Sequence, residues 1–321
     1  MSRFYKGLVL ALALATPALA VFEPTPKAAR PQGMGGAFTG VADDVTAIHY
    51  NPAGLTRVDA LQAHLFGTRL FGLKELQDAL LDVAYPISKQ AGTVGVSVEQ
   101  FGDDTLLRER TITASHGIPL QEDLRVGYNL NLYDLKIGPE DGSANDFGSD
   151  RSFGLDVGVM AHIKKVKKDL WVGGFMRNVN QPKVGKSYPK ELSRANSVGM
   201  SFSPYSGAWI MLDVTKEVTQ PRTMWRGGME FELAKWTGGR ILLRAGAHSS
   251  PQRWSAGATV KVGPLAVDYA FYNHELLSDT HLVSLRLNFG RAKKKAGVAP
   301  AATAPTAAVP KMEEKKEKKA E

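Results

Sequence analysis

Few residues of this 321-residue chain have the type and spacing for chemistry. It holds seven histidines and no cysteine, which excludes disulfides, thiolate metal sites and a cysteine nucleophile. The histidines are scattered; His116, His248, His274 and His281 fall near strand ends, and no H-x-x-x-H, H-x-x-E-H or Gly-x-Ser-x-Gly spacing occurs. With no nucleophile beside a base, no enzyme is expected, and no cofactor or metal either. Gly33-Met34-Gly35-Gly36 lacks the preceding strand of a dinucleotide fingerprint, and Gly185-Lys186-Ser187 has Asn180 where a phosphate loop requires glycine. His49, beside Tyr50, reads as a packed residue. Asp43 and Asp44 suit ion pairing better than acid–base work, because a buried charge needs a partner. Arg125, Arg244 and Arg286 are the candidate partners, and the same pairs are candidate gating contacts.

Several of these candidates fall in one stretch, Arg30–Leu55. It contains five glycines (Gly33, Gly35, Gly36, Gly40, Gly54) and two prolines (Pro31, Pro52), so it is neither one helix nor one strand. Asn51-Pro52-Ala53-Gly54 is turn chemistry: asparagine bonds its own backbone, proline fixes φ, glycine supplies positive φ.

The run GMGGAFTGVADDVTAIHYNPAGL, Gly33–Leu55, resembles the N-terminal box of the FadL/OmpP1/TodX-like outer-membrane proteins and their PorV-like relatives. The resemblance covers these 23 residues directly. It implies a barrel whose N-terminal segment forms a hatch inside the lumen. The hatch candidates are then Gly33, Gly35, Gly36, Phe38, Asp43, Asp44, Asn51, Pro52 and Gly54.

The flanks are of another kind. Residues 1–20 read as a secretory signal: Arg3 and Lys6, an apolar run from Gly7 to Ala15, then Ala18-Leu19-Ala20. The apolar run is shorter than the roughly 20 residues of a spanning helix. Residues 290–321 are lysine, alanine, proline and glutamate, which cannot bury enough surface to fold alone; they read as a disordered periplasmic tail. Its nine basic residues and four glutamates, with Arg3 and Lys6, account for seven of the chain's eight net positive charges. The body is nearly neutral, and no nucleic-acid partner is implied.

From residue 60 to 289 the sequence alternates, as two-faced strands do. Leu265, Val267, Tyr269 and Phe271 share one face; Ala266, Asp268 and Ala270 share the other. Leu124, Val126, Tyr128, Leu130 and Leu132 likewise oppose Arg125, Gly127, Asn129 and Asn131. A soluble sandwich alternates too. The glycine- and alanine-rich polar face, with Trp171, Trp225, Trp254, Tyr133 and Phe289 near strand ends, favours an all-β transmembrane antiparallel barrel with aromatic girdles. Fourteen strands are predicted, beginning near 60, 79, 91, 106, 124, 152, 170, 195, 206, 224, 238, 253, 264 and 281. The long connections Gly138–Arg151 and Asn180–Arg194 follow odd strands and read as extracellular, with both termini periplasmic. Fourteen strands exceed the roughly eight that side chains alone can fill, so residues 21–59 are expected to plug the lumen. Arg125, Asp156, Arg244, Asp268 and Arg286 are the expected luminal charges. Pro86 to Gly95 is where a wall kink would fall, although Pro86 also suits an ordinary strand end.

The resemblance implies an outer-membrane channel for hydrophobic or amphipathic small molecules, opened by a shift of the plug. Two other readings stay open: a PorV-like docking protein for secreted proteins, and a structural barrel tethered to peptidoglycan by its basic tail. Outer-membrane lipid is an expected partner in all three.

Overall fold

The structure, a computed structural model, describes residues 21–103, 106–138, 148–164, 169–186, 189–218, 222–274 and 277–290. The expected signal peptide and the tail beyond Gly290 lie outside the described residues. Fourteen strands form one closed antiparallel barrel. They are β1 Gln62–Arg69, β2 Gln77–Ser88, β3 Gly92–Gly102, β4 Leu107–Pro119, β5 Leu124–Ile137, β6 Gly148–His162 and β7 Asp169–Arg177, then β8 Ala195–Ser203, β9 Ala208–Glu217, β10 Arg222–Trp236, β11 Gly239–Ser249, β12 Gln252–Val262, β13 Leu265–Tyr272 and β14 Thr280–Asn288. β1 closes the cylinder by pairing Gln62–Thr68 with Leu282–Asn288 of β14. Closure pairs each strand with a neighbour on both sides over most of its length, which matters in hydrocarbon, where unpaired backbone groups would cost several kcal/mol each.

The two faces are inverted relative to a soluble protein. Outward Leu65, Val198 and Trp225 are 51%, 62% and 63% exposed, whereas inward His64, Asp82 and Asp268 are 0% exposed. Apolar side chains outside and charges inside require a lipid surround. The girdle expectation holds for Trp225, Trp254 and Phe289, all exposed, and fails for Trp171 and Tyr133, which are buried. Both stand on the inward set of their strands, beside Gly173 and Asn131, and so cannot reach lipid.

Connections 70–76, 138–147, 178–194 and 273–279 follow odd strands, while 89–91, 237–238 and 263–264 follow even ones. One barrel end therefore carries the long loops and the other tight turns. Above Val157 the β6 edge has no strand partner on the β7 side. Loop residues replace it: the Val179 amide donates to the Leu155 carbonyl (2.8 Å), the Asn180 side chain donates to the Phe153 carbonyl (2.7 Å) and accepts from the Leu155 amide (2.9 Å). β2 and β3 remain paired from Asp78–Phe101 to Ser88–Gly92, with one register shift at Pro86. Pro86 thus marks an ordinary strand end, and no kink opens the wall there.

Residues 21–58 run inside the cylinder. Val21 packs with Tyr133, Leu135, Val184 and Leu192, at the long-loop end, whereas β14 finishes at the turn end. An even strand number fixes where β1 begins and β14 stops; from Val21 the leading segment descends the lumen to reach the start of β1.

Candidate functional site

The lower plug is made of three short pieces, helical turns Ala29–Gln32 and Ala47–Tyr50 and a 3-10 turn Pro52–Arg57. Its glycines let it meet the wall backbone to backbone. Gly35 and Gly36 adopt φ of +67° and +77°, which only glycine takes without strain. The wall answers with inward glycines of its own: a methyl on Gly117 would lie 2.7 Å from the Pro52 carbonyl, and one on Gly158 would overlap Asn51 and Pro52. Gly33 faces Gly257 in the same manner, and Gly54 packs on Ala42 within the plug.

Such irregular backbone carries polar groups that strands and helices would have satisfied. Wall side chains take them. The amides of Phe38 and Thr39 donate to Asp213 (both 2.8 Å), the Ala29 amide to Ser284 (2.9 Å), the Gly35 amide to Ser255 (3.0 Å). Asn51 donates to the carbonyls of Thr39 and Val159 (both 3.0 Å). Phe38 lies edge-on to Tyr50, 5.3 Å between ring centres.

Ion pairs then fasten the plug to the wall. Asp44 accepts from Arg286 and Arg30 (both 2.6 Å), and Asp43 accepts from Arg30 (2.5 Å). Arg30 also forks onto Glu230 (3.0 and 3.1 Å). Burial raises the Asp44 carboxyl, but the guanidiniums of Arg286 and Arg30 outweigh it and hold the group below the ordinary carboxylate range. Of the three predicted partners only Arg286 reaches this pair. Arg244 lies against Glu230 (2.6 Å) and Asp268 (3.5 Å). The Arg125 guanidinium sits 4.4 Å from the Trp171 ring, alongside that of Arg57 at 4.3 Å. Asp156 is committed to Asn129, Asn131 and the Asn178 amide (3.0, 2.8 and 2.8 Å). Sequence reasoning missed Arg30 and Glu230, 200 residues apart, and the group in which Asp82 joins His49 (2.9 Å) to His64 (2.8 Å). Only the last carried a signal: His64 and Asp82 stand on inward positions of adjoining strands.

Above the plug, on the long-loop side, lies a cavity of about 650 Å³. Residues Phe22–Lys27 form part of its wall. The Phe22 ring meets Tyr133 edge-on at 4.9 Å and its amide donates to Glu109 (2.8 Å). Thr25 donates to Asp78 (2.7 Å), and Lys27 pairs with Glu99 and lies 3.8 Å from Asp78. Burial lowers the Lys27 ammonium, but Glu99 and Asp78 outweigh it and raise the group above its ordinary value. Phe71, Leu70 and Tyr272 supply apolar lining; Arg177, Arg222 and Arg226 supply charge. No group of three or more His, Cys, Asp or Glu suited to a metal ion occurs among the described residues.

A closed barrel with an internal plug and a loop-side cavity defines a plugged β-barrel fold. The comparisons give it a place. The structure is similar to that of a Pseudomonas aeruginosa FadL homologue (10% identity, 83% of this chain and 99% of that one, TM-score 0.54). It is similar to the CymD monoaromatic hydrocarbon channel (13%, 82% and 98%, 0.56) and to the Pseudomonas putida toluene transporter TodX (11%, 84% and 100%, 0.52). No protein-family model and no curated protein matches the sequence. The chain has the FadL-like barrel fold.

Proposed function

We propose that this chain is an outer-membrane channel for amphipathic small molecules. The loop-side cavity carries the reading: it lies between loops and plug, is large enough for a small ligand, and mixes aromatic with charged lining. The FadL-like fold supports the same class. A ligand enters from the loops and rests in the cavity. Below it the plug occupies the lumen, seated against wall backbone, with a smaller polar cavity of about 230 Å³ beside its ion pairs. The exit we favour is therefore sideways, above Val157, where loop residues rather than a strand close the β6 edge. Movement is confined to the upper segment and the 178–194 loop, and the lower plug stays seated.

Proteoliposomes test this. The protein should speed entry of an amphipathic fluorescent probe over empty vesicles, and Ser197→Trp, which fills the cavity, should abolish the gain. Equal flux with the cavity filled would overturn the reading.

A further inference from the structure

The cavity has two unlike walls. On the β3–β4 side Glu99 and Glu109 have partners, Lys27 and the Phe22 amide. On the β7–β10 side Arg177, Arg222 and Arg226 make no salt bridge among the described residues, although Glu217 stands directly opposite Arg222. Arg226 stands directly opposite His248, and His248 directly opposite Arg253, so three basic residues form one inward row across adjoining strands. Arg222 lies four residues, two pleat repeats, nearer the loops and, with Arg226 and Arg253, bears electrostatically on His248. Asp213, opposite Arg226, spends its Oδ2 on plug amides, and Arg226 itself donates to the Thr215 hydroxyl (2.6 Å). Among the described residues no carboxylate stands within salt-bridge distance of Arg177, Arg222 or Arg226. Two buried nitrogens on this lining, Arg177 Nε and His248 Nδ1, have no hydrogen-bond partner, a penalty of about 1–3 kcal/mol each.

We propose that this wall binds the phosphate of an alkyl phosphate monoester. A carboxylate offers two oxygens and satisfies one guanidinium fork. The guanidiniums of Arg177, Arg222 and Arg226 line one cavity and call for a group with three terminal oxygens and about two negative charges, which a phosphate monoester supplies. The alkyl part would lie on Phe71, Tyr272 and Leu70, which line the same cavity. The inference names the ligand class of the channel proposed above and rests on that reading for how the ligand arrives. Binding is measured apart from flux, so either can fail alone.

Equilibrium titration of the full chain in non-ionic detergent tests it, with octyl phosphate, octanoate, octanol and inorganic phosphate as probes. Octyl phosphate should bind at least about tenfold tighter than octanoate, as expected for engaging a second guanidinium. Octanol should bind weakest, and inorganic phosphate should compete with octyl phosphate. Arg222→Gln with Arg226→Gln should cut octyl phosphate affinity at least about tenfold and leave octanol binding and the thermal midpoint unchanged. In nanodiscs, displacement of octyl phosphate by phosphatidate marks membrane lipid as the natural source; displacement by soluble esters alone marks a free metabolite, and either supports the site. Octanoate binding as tightly as octyl phosphate, or an undiminished double variant, would overturn it.

Discussion

The lower plug and the upper segment are one continuous chain in one lumen, held by different physics. Residues 28–58 meet the wall through close backbone contact, glycine against glycine, locked by buried ion pairs. Residues 21–27 meet it through side chains: one aromatic contact, one amide on Glu109, and Lys27 among carboxylates. Backbone contact has no second arrangement nearby, because moving it opens voids and strands polar groups together. Side-chain contacts can be exchanged singly for a ligand's. The difference places rigidity below the cavity and adjustability beside it.

The largest effect should come from Arg30, the residue that joins Asp43, Asp44 and Glu230. Arg30→Ala removes the shared cation from buried carboxylates and should cost about 3 kcal/mol, read from thermal unfolding in detergent. Arg30→Lys should recover less than half, because an ammonium cannot fork. A variant as stable as the parent would show that the ion pairs do not fasten the plug. Next, Gly158→Ala should cost about 1–3 kcal/mol by overpacking, since its methyl meets Asn51 and Pro52. Gly67→Ala, with nothing within 4 Å, should stay within about 0.5 kcal/mol. Equal effects at both positions would erase the distinction between seated and open wall.

A smaller effect is expected above. Phe22→Ala with Glu109→Gln should change global stability by about 1 kcal/mol or less while freeing the upper segment. The chain has no cysteine, so a thiol at exposed Pro24 is a clean reporter. Pro24→Cys should react at least about tenfold faster with a polar thiol reagent in that background. A thiol placed at buried Ala53 should stay unreactive in the same background; labelling at both would mean that the plug moves as one body.

Much of this architecture was legible in the sequence, and the reason is period. Alternation fixes which residues share a face, so Val267 and Tyr269 face out and Asp268 in, and strand starts at 124 and 195 fall where predicted. The same period assigned Tyr133 to the inward set of Arg125, Gly127 and Asn131; treating it as a girdle residue ignored that signal. The plug's partners were not legible. Arg30 meets Glu230 only because a four-residue helical turn and two left-handed glycines aim it there, and no local pattern encodes a contact across 200 residues. Arg125 failed as a partner for Asp43 and Asp44 for the same reason: it lies on the inward face, as read, but beside Trp171.

Acid and alkali should separate the two regions last, with the smallest shifts. Asp44, in the lower plug, is lowered on folding, so its contribution is complete above its ordinary value of 3.8 and drains as pH falls below that. Lys27, in the upper segment, is raised above 10.5, so its contribution is complete below that value and drains as pH rises past it. The thermal midpoint should therefore fall below about pH 4, and Asp44→Asn should blunt that fall. Labelling at Pro24→Cys should instead rise from about pH 10.5 relative to a free thiol control, and Lys27→Gln should make it fast at every pH. If acid loosened the upper segment first, or alkali lowered the midpoint before exposing Pro24→Cys, the seated plug and the adjustable segment would be a single cooperative unit.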